Sequence, residues 1–333
     1  MARVTAAGKR VVTLPFDLVR EELQQIEALL LSESWSSAET VREISHHILG
    51  AGGKRLRPAL LLTAARACGH QSAWAVKLGL CVELLHTATL MHDDVVDRSE
   101  WRRGRVTAHQ RWGLSASVLS GDVMFARAMH LLVSYGDLGV LEAVTSAIIR
   151  VCEGEVLEID VNGDLDVSVE TYLEIISAKT AALLAVCCQT GAMVAGASAD
   201  TEAALWAFGH HLGMAFQIVD DVLDLTAKAD EWGRPVGEDL KEGRVTLPII
   251  RTLQRVDATE RARLRRLLAS GEEAAERVAE VVHLAGRCGG LAAAYEDARE
   301  QARLAYEHLS VLPPSEARDA LAAMVDYTLT RDR

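Results

Sequence analysis

Between Glu83 and Asp97 an uncharged, mostly apolar run ends abruptly in three carboxylates, Asp93, Asp94 and Asp97. At helical spacing Asp93 and Asp97 share a face and Asp94 lies about 100° round, so three negative charges crowd within one turn with no base there to offset them. Like charges this close raise one another's pKa unless a cation is bound, and an all-oxygen ligand set suits a hard ion such as Mg2+. A solvated acidic helix face is the ordinary explanation of one such cluster. The spacing recurs, however, at Asp220, Asp221 and Asp224, where Phe216-Gln-Ile-Val-Asp-Asp-Val-Leu-Asp-Leu225 again closes an apolar segment. Two clusters in one helical chain predict a facing pair that holds divalent ions, and so chemistry on a diphosphate.

Basic residues stand at matching places. Gly52-Gly-Lys-Arg-Leu-Arg-Pro58 puts two glycines and three bases before a helix that Pro58 is placed to open. Glycines let backbone approach an anion closely, a helix start adds partial positive charge, and Lys54 and Arg57 supply strong donors. Arg102 and Arg103 lie side by side just past the first cluster, able to serve two different phosphate groups through bidentate forks. Lys179 and Thr180 begin an uncharged helix, and Gln217 precedes the second cluster by three residues. His86 lies two turns below Asp93. Glu83-x-x-His86 and Glu43-x-x-His46 raise a di-iron rival, which needs two further Glu ligands and leaves both Asp triplets unexplained.

Helical periodicity dominates from Asp17 onward, and the class read from it is all-α. The expected helices lie near 17–32, 37–49, 58–69, 74–97, 115–135, 138–161, 168–178, 180–197, 201–227, 246–255, 259–269, 272–287, 292–311 and 315–330. Only 156–169 is ambiguous with strand. Capping boxes are expected at Ser36 to Glu39, Asp257 to Glu260 and Ser270 to Glu273. No Pro/Gly/Ser-rich linker divides the chain, so residues 1–333 are read as a single domain. The irregular stretches 97–115 and 226–245 each follow an Asp cluster and are placed to act as loops over it.

Half the residues are apolar and only 5% aromatic, which fits a large core of Ala, Leu and Val. A net charge of −12, from 47 acids against 35 bases, argues against nucleic acid as a partner. Six Cys without a Cys-x-x-Cys pair indicate neither a zinc site nor a disulfide framework, and suit a reducing cytoplasm. No apolar segment follows the early basic residues, so no signal peptide is expected. Thr180 to Ala199 has the length of a membrane span, but Gln189, Thr190, Gly191 and Gly196 dilute it, and a buried core helix is expected there.

Taken together, Gly-Gly-Lys-Arg-x-Arg-Pro, Asp-Asp-x-x-Asp with Arg-Arg-Gly, Lys-Thr, Phe-Gln-x-x-Asp-Asp-x-x-Asp and Gly-x-Asp-Leu-x-Glu-Gly, in this order over residues 52–248, resemble the trans-polyprenyl diphosphate synthases. The resemblance implies an all-α bundle around a deep central apolar cavity, commonly a homodimer. It implies isopentenyl diphosphate bound by Lys54, Arg57, His86 and Arg103. It further implies an allylic diphosphate held through Mg2+ by Asp93, Asp97, Asp220, Asp221 and Asp224, with Arg102, Lys179, Thr180 and Gln217 assisting. One departure stands out: Gly233-Arg-Pro-Val-Gly237 places Arg234 where the family usually has Lys. The implied reaction is ionisation, condensation and elimination, with released pyrophosphate as proton acceptor and no protein nucleophile. A terpene cyclase has no use for a second diphosphate site, and a non-catalytic subunit has no need of all six carboxylates. Ala88 and Thr89, one turn below Asp93, are small where large aromatics stop short products in the family. In the family's terms their small size implies a long all-trans product of about seven to ten isoprene units, suited to a quinone side chain and to delivery to the membrane. Such a product continues along the next helix, where Met124, Phe125, Met129 and Leu132 are candidates to face it; farnesyl or geranylgeranyl synthesis is the shorter alternative.

Overall fold

Local signals place most helix ends where the periodicity predicts them, and tertiary packing decides the rest. The computed structural model describes residues 16–32, 36–70, 73–226, 237–269 and 275–331, with two short strands, β1 (Arg3–Val4) and β2 (Arg10–Val11). The helices of the first half are α1 (Arg20–Leu30), α2 (Glu39–Leu49), α3 (Leu56–Ala67), α4 (Ala73–Val96), α5 (Ala108–Trp112), α6 (Leu114–Tyr135) and α7 (Leu138–Val161). A hairpin, β3 (Trp101–Arg102) and β4 (Arg105–Val106), separates α4 from α5. Then come α8 (Val169–Ile176), α9 (Ala182–Val194), α10 (Ala199–Thr226), α11 (Glu238–Lys241), α12 (Leu247–Arg255), α13 (Ala258–Ala269), α14 (Ala275–Arg287), α15 (Gly290–His308) and α16 (Glu316–Thr330).

The long helix α10 is the axis of the fold. It contributes Phe208 and Leu212 to one core cluster, Met214 and Ile218 to a second, and Leu225 to a third. Burying each such side chain stabilises by roughly 1.5–3 kcal/mol. A line of small residues on α15, Ala294, Ala298, Ala302 and Ala305, is buried where α15 packs on α10. The carboxylate clusters sit at the C-terminal ends of α4 and α10, and the basic run starts α3.

Three helices are long and apolar enough to cross a membrane, Ala73–Val96, Leu114–Tyr135 and Val169–Val194, and their apolar windows are 72%, 33% and 67% buried inside the fold. The uncharged segment of α9 is core, packed on α3 and α10.

Several local expectations need correction. Ser36 does not cap α2: its Oγ accepts from Ala38 N at 3.1 Å, and the cap position is Ala38. Pro58 is the third residue of α3, which Leu56 opens after Arg55 takes a left-handed backbone. The ambiguous 156–169 stretch is helical to Val161. Asp257 does cap α13, accepting from Glu260 N at 2.8 Å. The box at Ser270 lies outside the described residues.

Candidate active site

Two cavities of about 250 Å³ each open in the fold, one at the ends of α4 and α10 and the other at the start of α3. One is lined by carboxylates and their partners: Asp93, Asp97, Asp220, Asp221, Asp239 and Glu158, with Arg102, Lys179 and Arg244 among them. The other is basic, lined by Lys54, Arg55, Arg57, His86 and Arg103 with the single acid Glu83. The β3–β4 hairpin feeds both. Its turn residues Arg103 and Gly104 have φ of 51° and 72°, the left-handed pair that a tight primed turn requires. Arg102, still in the strand, enters the acidic cavity with Nε 2.5 Å from Asp94 Oδ1, while Arg103 enters the basic one and donates to Gly52 O. Of these two cavities Arg102 lines only the acidic one and Arg103 only the basic one, while both also border a small cavity of about 30 Å³ beside Asp94.

In the acidic cavity burial raises the Asp93 pKa to about 7, with Glu155 and Asp97 adding to the shift and Lys179 and Arg102 opposing it. Burial, then Asp239, push Asp221 well above the usual carboxylate range, against hydrogen bonds from Tyr172 and Gln217. Charge of one sign is therefore in excess here. Lys179 stands on a five-residue π-helical turn, Ser177–Ala181, that continues α8 into α9. The turn is gripped from both sides by glycines. A Cβ at Gly154 of α7 would lie 2.5 Å from Ala178 Cβ, and one at Gly213 of α10 would lie 2.5 Å from Ala181 Cα. Lys179 Nζ pairs Glu155 at 2.8 Å and also Glu158; burial disfavours its charge, but the two glutamates outweigh that and raise its pKa.

In the basic cavity Lys54 Nζ donates to Tyr327 Oη at 2.9 Å. Arg55 is held by Glu27 at 2.7 and 3.0 Å and by Glu83 at 2.7 Å, so it ties α1 and α4 to the start of α3. Burial lowers the Arg57 pKa, with Glu83 opposing. Burial, then Arg57 and Arg103, hold His86 well below its ordinary value, which makes it a neutral hydrogen-bonding group.

Of the second Asp cluster, Asp220 and Asp221 line the acidic cavity. Asp224, 1% exposed, does not line the acidic cavity; its Oδ1 accepts from Glu238 N at 3.2 Å, so it anchors the start of α11. Asp94 likewise turns to Arg102 rather than into the cavity. Thr180 and Gln217 line it, but Thr180 Oγ1 donates to Gln217 Oε1 at 2.8 Å. Ala88 is buried in the main core and Thr89 Oγ1 donates to His86 O at 2.9 Å; neither lines either cavity. Met124 and Leu132 face the core and Phe125 is 36% exposed. Arg234 lies outside the described residues. The di-iron rival finds no geometry, since Glu83 is paired to Arg55 and Glu43 accepts from Trp112 Nε1 at 3.2 Å.

Sequence reading missed Tyr172, Glu155, Glu158, Asp239, Arg244 and Arg331. Arg331 carried no signal, yet it is buried, 3.2 Å from Asp220 Oδ1 and 2.7 Å from Phe216 O. Asp239 and Arg244 had one: both fall in or beside Gly-x-Asp-Leu-x-Glu-Gly, and they pair with each other at 2.7 Å. Among the described residues no three His, Cys, Asp or Glu side chains converge as a closed metal shell. Open carboxylates facing one another across a cavity are what a divalent ion needs when it keeps waters and takes its remaining ligands from a phosphate.

An all-α bundle with an acidic and a basic cavity fed by one hairpin has the charge pattern of an enzyme that handles phosphorylated substrates. A family model described as polyprenyl synthetase matches residues 38–285. A short chain isoprenyl diphosphate synthase of Methanothermobacter thermautotrophicus is 39% identical over 298 residues, covering 88% of this chain and 91% of that protein. An octaprenyl diphosphate synthase of Escherichia coli is 35% identical over 317 residues, covering 95% and 98%. The crystal structure of a polyprenyl synthase from Caulobacter crescentus, complexed with calcium and isoprenyl diphosphate, superposes with a TM-score of 0.91 at 36% identity, covering 96% of this chain and 97% of that one. The chain belongs to the polyprenyl synthetase family and is a prenyltransferase.

Proposed function

We propose that this single-domain enzyme condenses isopentenyl diphosphate head to tail with an allylic diphosphate, giving a long all-trans polyprenyl diphosphate. The observation that carries the reading is the split of Arg102 and Arg103 between an acidic and a basic cavity. Two diphosphates can then lie side by side without sharing a counter-charge.

Asp93, Asp97 and Asp220, with Asp221 behind, fit Mg2+ as a partner of the allylic diphosphate, and the ion supplies positive charge against the leaving diphosphate. Arg102 and Arg244 add donors at the same cavity, and Lys179 reaches it from the π-helical turn. Lys54, Arg57, neutral His86 and Arg103 orient isopentenyl diphosphate, whose double bond attacks C1 of the allylic cation. Leu90, Ile175 and Ile176 wall the acidic cavity and keep water from that cation. Pyrophosphate, once released, takes the proton.

The octaprenyl relative and the small Ala88 and Thr89 support a product longer than geranylgeranyl; the short-chain relative favours the shorter reading. Mass spectrometry of products from farnesyl and isopentenyl diphosphates decides between them. Products beyond C20 are expected, and if the small residue one turn below Asp93 sets the length, Ala88→Phe should shorten them. Products that stop at C15 or C20 would establish the shorter reading, and cyclised hydrocarbon from farnesyl diphosphate alone would make the protein a cyclase. A product of this apolar length passes to a membrane, while the enzyme itself acts in the cytoplasm, in keeping with its six unpaired cysteines. A homodimer is supported by an exposed apolar stripe on α7, where Leu138, Ile149 and Val156 share one face. Light scattering tests it.

A further inference from the structure

Three donors and a carboxylate form a continuous chain in the wall of the acidic cavity. Tyr172 Oη donates to Asp221 Oδ2 at 2.6 Å, Gln217 Nε2 donates to Asp221 Oδ1 at 2.8 Å, and Thr180 Oγ1 donates to Gln217 Oε1 at 2.8 Å. The members come from three elements: Tyr172 from α8, Thr180 from the π-helical turn, and Gln217 and Asp221 from one face of α10. Both oxygens of Asp221 are thereby fixed, and the carboxylate is 4% exposed.

Tyr172 is 4% exposed and its ring lies in a core cluster with Ile176, Met214 and Ile218. Packing alone would be served as well by Phe. What the hydroxyl adds is a short hydrogen bond to a buried acid, the kind whose loss leaves a charged acceptor short of a partner. Gln217 in turn cannot pivot, because its amide oxygen is taken by Thr180.

We infer that Tyr172, Gln217 and Thr180 are positioning residues, a relay that locks Asp221 and ties the end of α10, where Asp220 faces the cavity, to the turn that carries Lys179. The inference rests on the proposed reading of the acidic cavity as the site for a cation-bound diphosphate. It assigns Thr180 and Gln217, which themselves line the cavity, a role through Asp221, and it gives the π-helical turn a purpose: the extra residue in the turn sets Thr180 against Gln217 while Lys179, one position earlier, points to the cavity.

The test is calorimetric binding of inorganic pyrophosphate to the full-length protein with Mg2+ present, run beside steady-state kinetics. Tyr172→Phe should weaken binding about tenfold and lower kcat/KM for the allylic diphosphate by a similar factor, with KM for isopentenyl diphosphate changed less than twofold. Thr180→Val, which removes one hydroxyl at the far end, should act in the same direction. Because the relay works as a unit, the double variant should lose much less than the product of the two single losses. Multiplicative losses would overturn the relay, as would Tyr172→Phe binding pyrophosphate like wild type. Should Tyr172→Phe fail to fold, Thr180→Val with Gln217→Glu makes the same cycle. Asp220→Ala separates the two levels of inference. If it too binds pyrophosphate like wild type, the reading of the acidic cavity fails; if it loses binding while Tyr172→Phe is silent, only the relay fails.

Discussion

In the first Asp-Asp-x-x-Asp cluster the first and last carboxylates, Asp93 and Asp97, line the acidic cavity and the middle one pairs with Arg102. In the second, of identical spacing, the first two, Asp220 and Asp221, line it, and the last is buried against the backbone of α11. The difference comes from the segment that each helix runs into. After α4 the chain turns into a hairpin whose Arg102 claims the carboxylate 100° off the shared face. After α10 the chain returns so that the Gly237 amide reaches Asp224 O at 2.8 Å and the next amide reaches its side chain, which captures the carboxylate nearest the helix end. A motif fixes which residue types are present, and the neighbouring element fixes which of them are free to face a ligand.

The sharpest way to break this comparison is to remove carboxylates one at a time. Asp93→Ala and Asp220→Ala should each reduce Mg2+-dependent pyrophosphate release by about a thousandfold or more, with helix content by circular dichroism unchanged. Asp224→Ala should reduce it much less, while lowering folding stability by about 1–2 kcal/mol through loss of the cap on α11. Equal kinetic losses at Asp220 and Asp224, with stability untouched, would show that Asp224 faces the ligand after all.

A smaller effect separates the two cavities. Arg103→Ala should raise KM mainly for isopentenyl diphosphate and Arg102→Ala mainly for the allylic substrate, because the hairpin turn sends their guanidinium groups to different cavities. Loss of one charged phosphate contact amounts to about 1.5–3 kcal/mol, or roughly ten- to a hundredfold in KM. Arg102→Ala should also release Asp94, so its kcat is expected to fall further than that of Arg103→Ala. Identical changes for both substrates in both variants would erase the distinction between the cavities.

Much of this was legible in the sequence, and the limits are physical. Long amphipathic and apolar periods mark α4, α6, α7, α9 and α10 to within a few residues, because burial of one face dictates the spacing. Lys54, Arg57, His86 and Arg103 come together in one cavity, and Asp93, Asp97, Arg102, Lys179, Thr180, Gln217, Asp220 and Asp221 in the other. What the sequence left hidden depends on tertiary contact. Tyr172 looks like any core aromatic until Asp221 is seen 2.6 Å from its hydroxyl. The π-helical turn at Ser177–Ala181 leaves the apolar pattern unbroken, and only Gly154 and Gly213, packed against it from other helices, account for it. The β3–β4 hairpin is too short for alternation to appear.

The smallest expected effect concerns the basic cavity without its anion. Arg57 and Arg103 add to burial in keeping His86 neutral in the folded protein, and Arg102 and Arg55 act in the same sense. The unfolded chain protonates it near its ordinary value of 6.5. A base whose folded pKa is depressed makes the unfolded state bind more protons below the unfolded value, so stability is lost as pH falls through 6.5 and is intact above it. The slope reaches about 1.4 kcal/mol per pH unit where only the unfolded state binds the proton, so the loss across this window is about 1 kcal/mol. Wild type should therefore lose about 1 kcal/mol more than His86→Gln between pH 7.5 and pH 5.5 in urea unfolding followed by circular dichroism, with EDTA present. Inorganic pyrophosphate supplies negative charge beside the same arginines, which makes protonation of His86 easier, so its addition should shrink the difference between the two proteins. A difference that is the same at both pH values would mean that folding leaves the proton affinity of His86 unchanged, and one that shifts in favour of wild type at pH 5.5 would mean that His86 carries its proton in the folded state. The basic cavity would then present one more positive charge to isopentenyl diphosphate than the neutral imidazole described above.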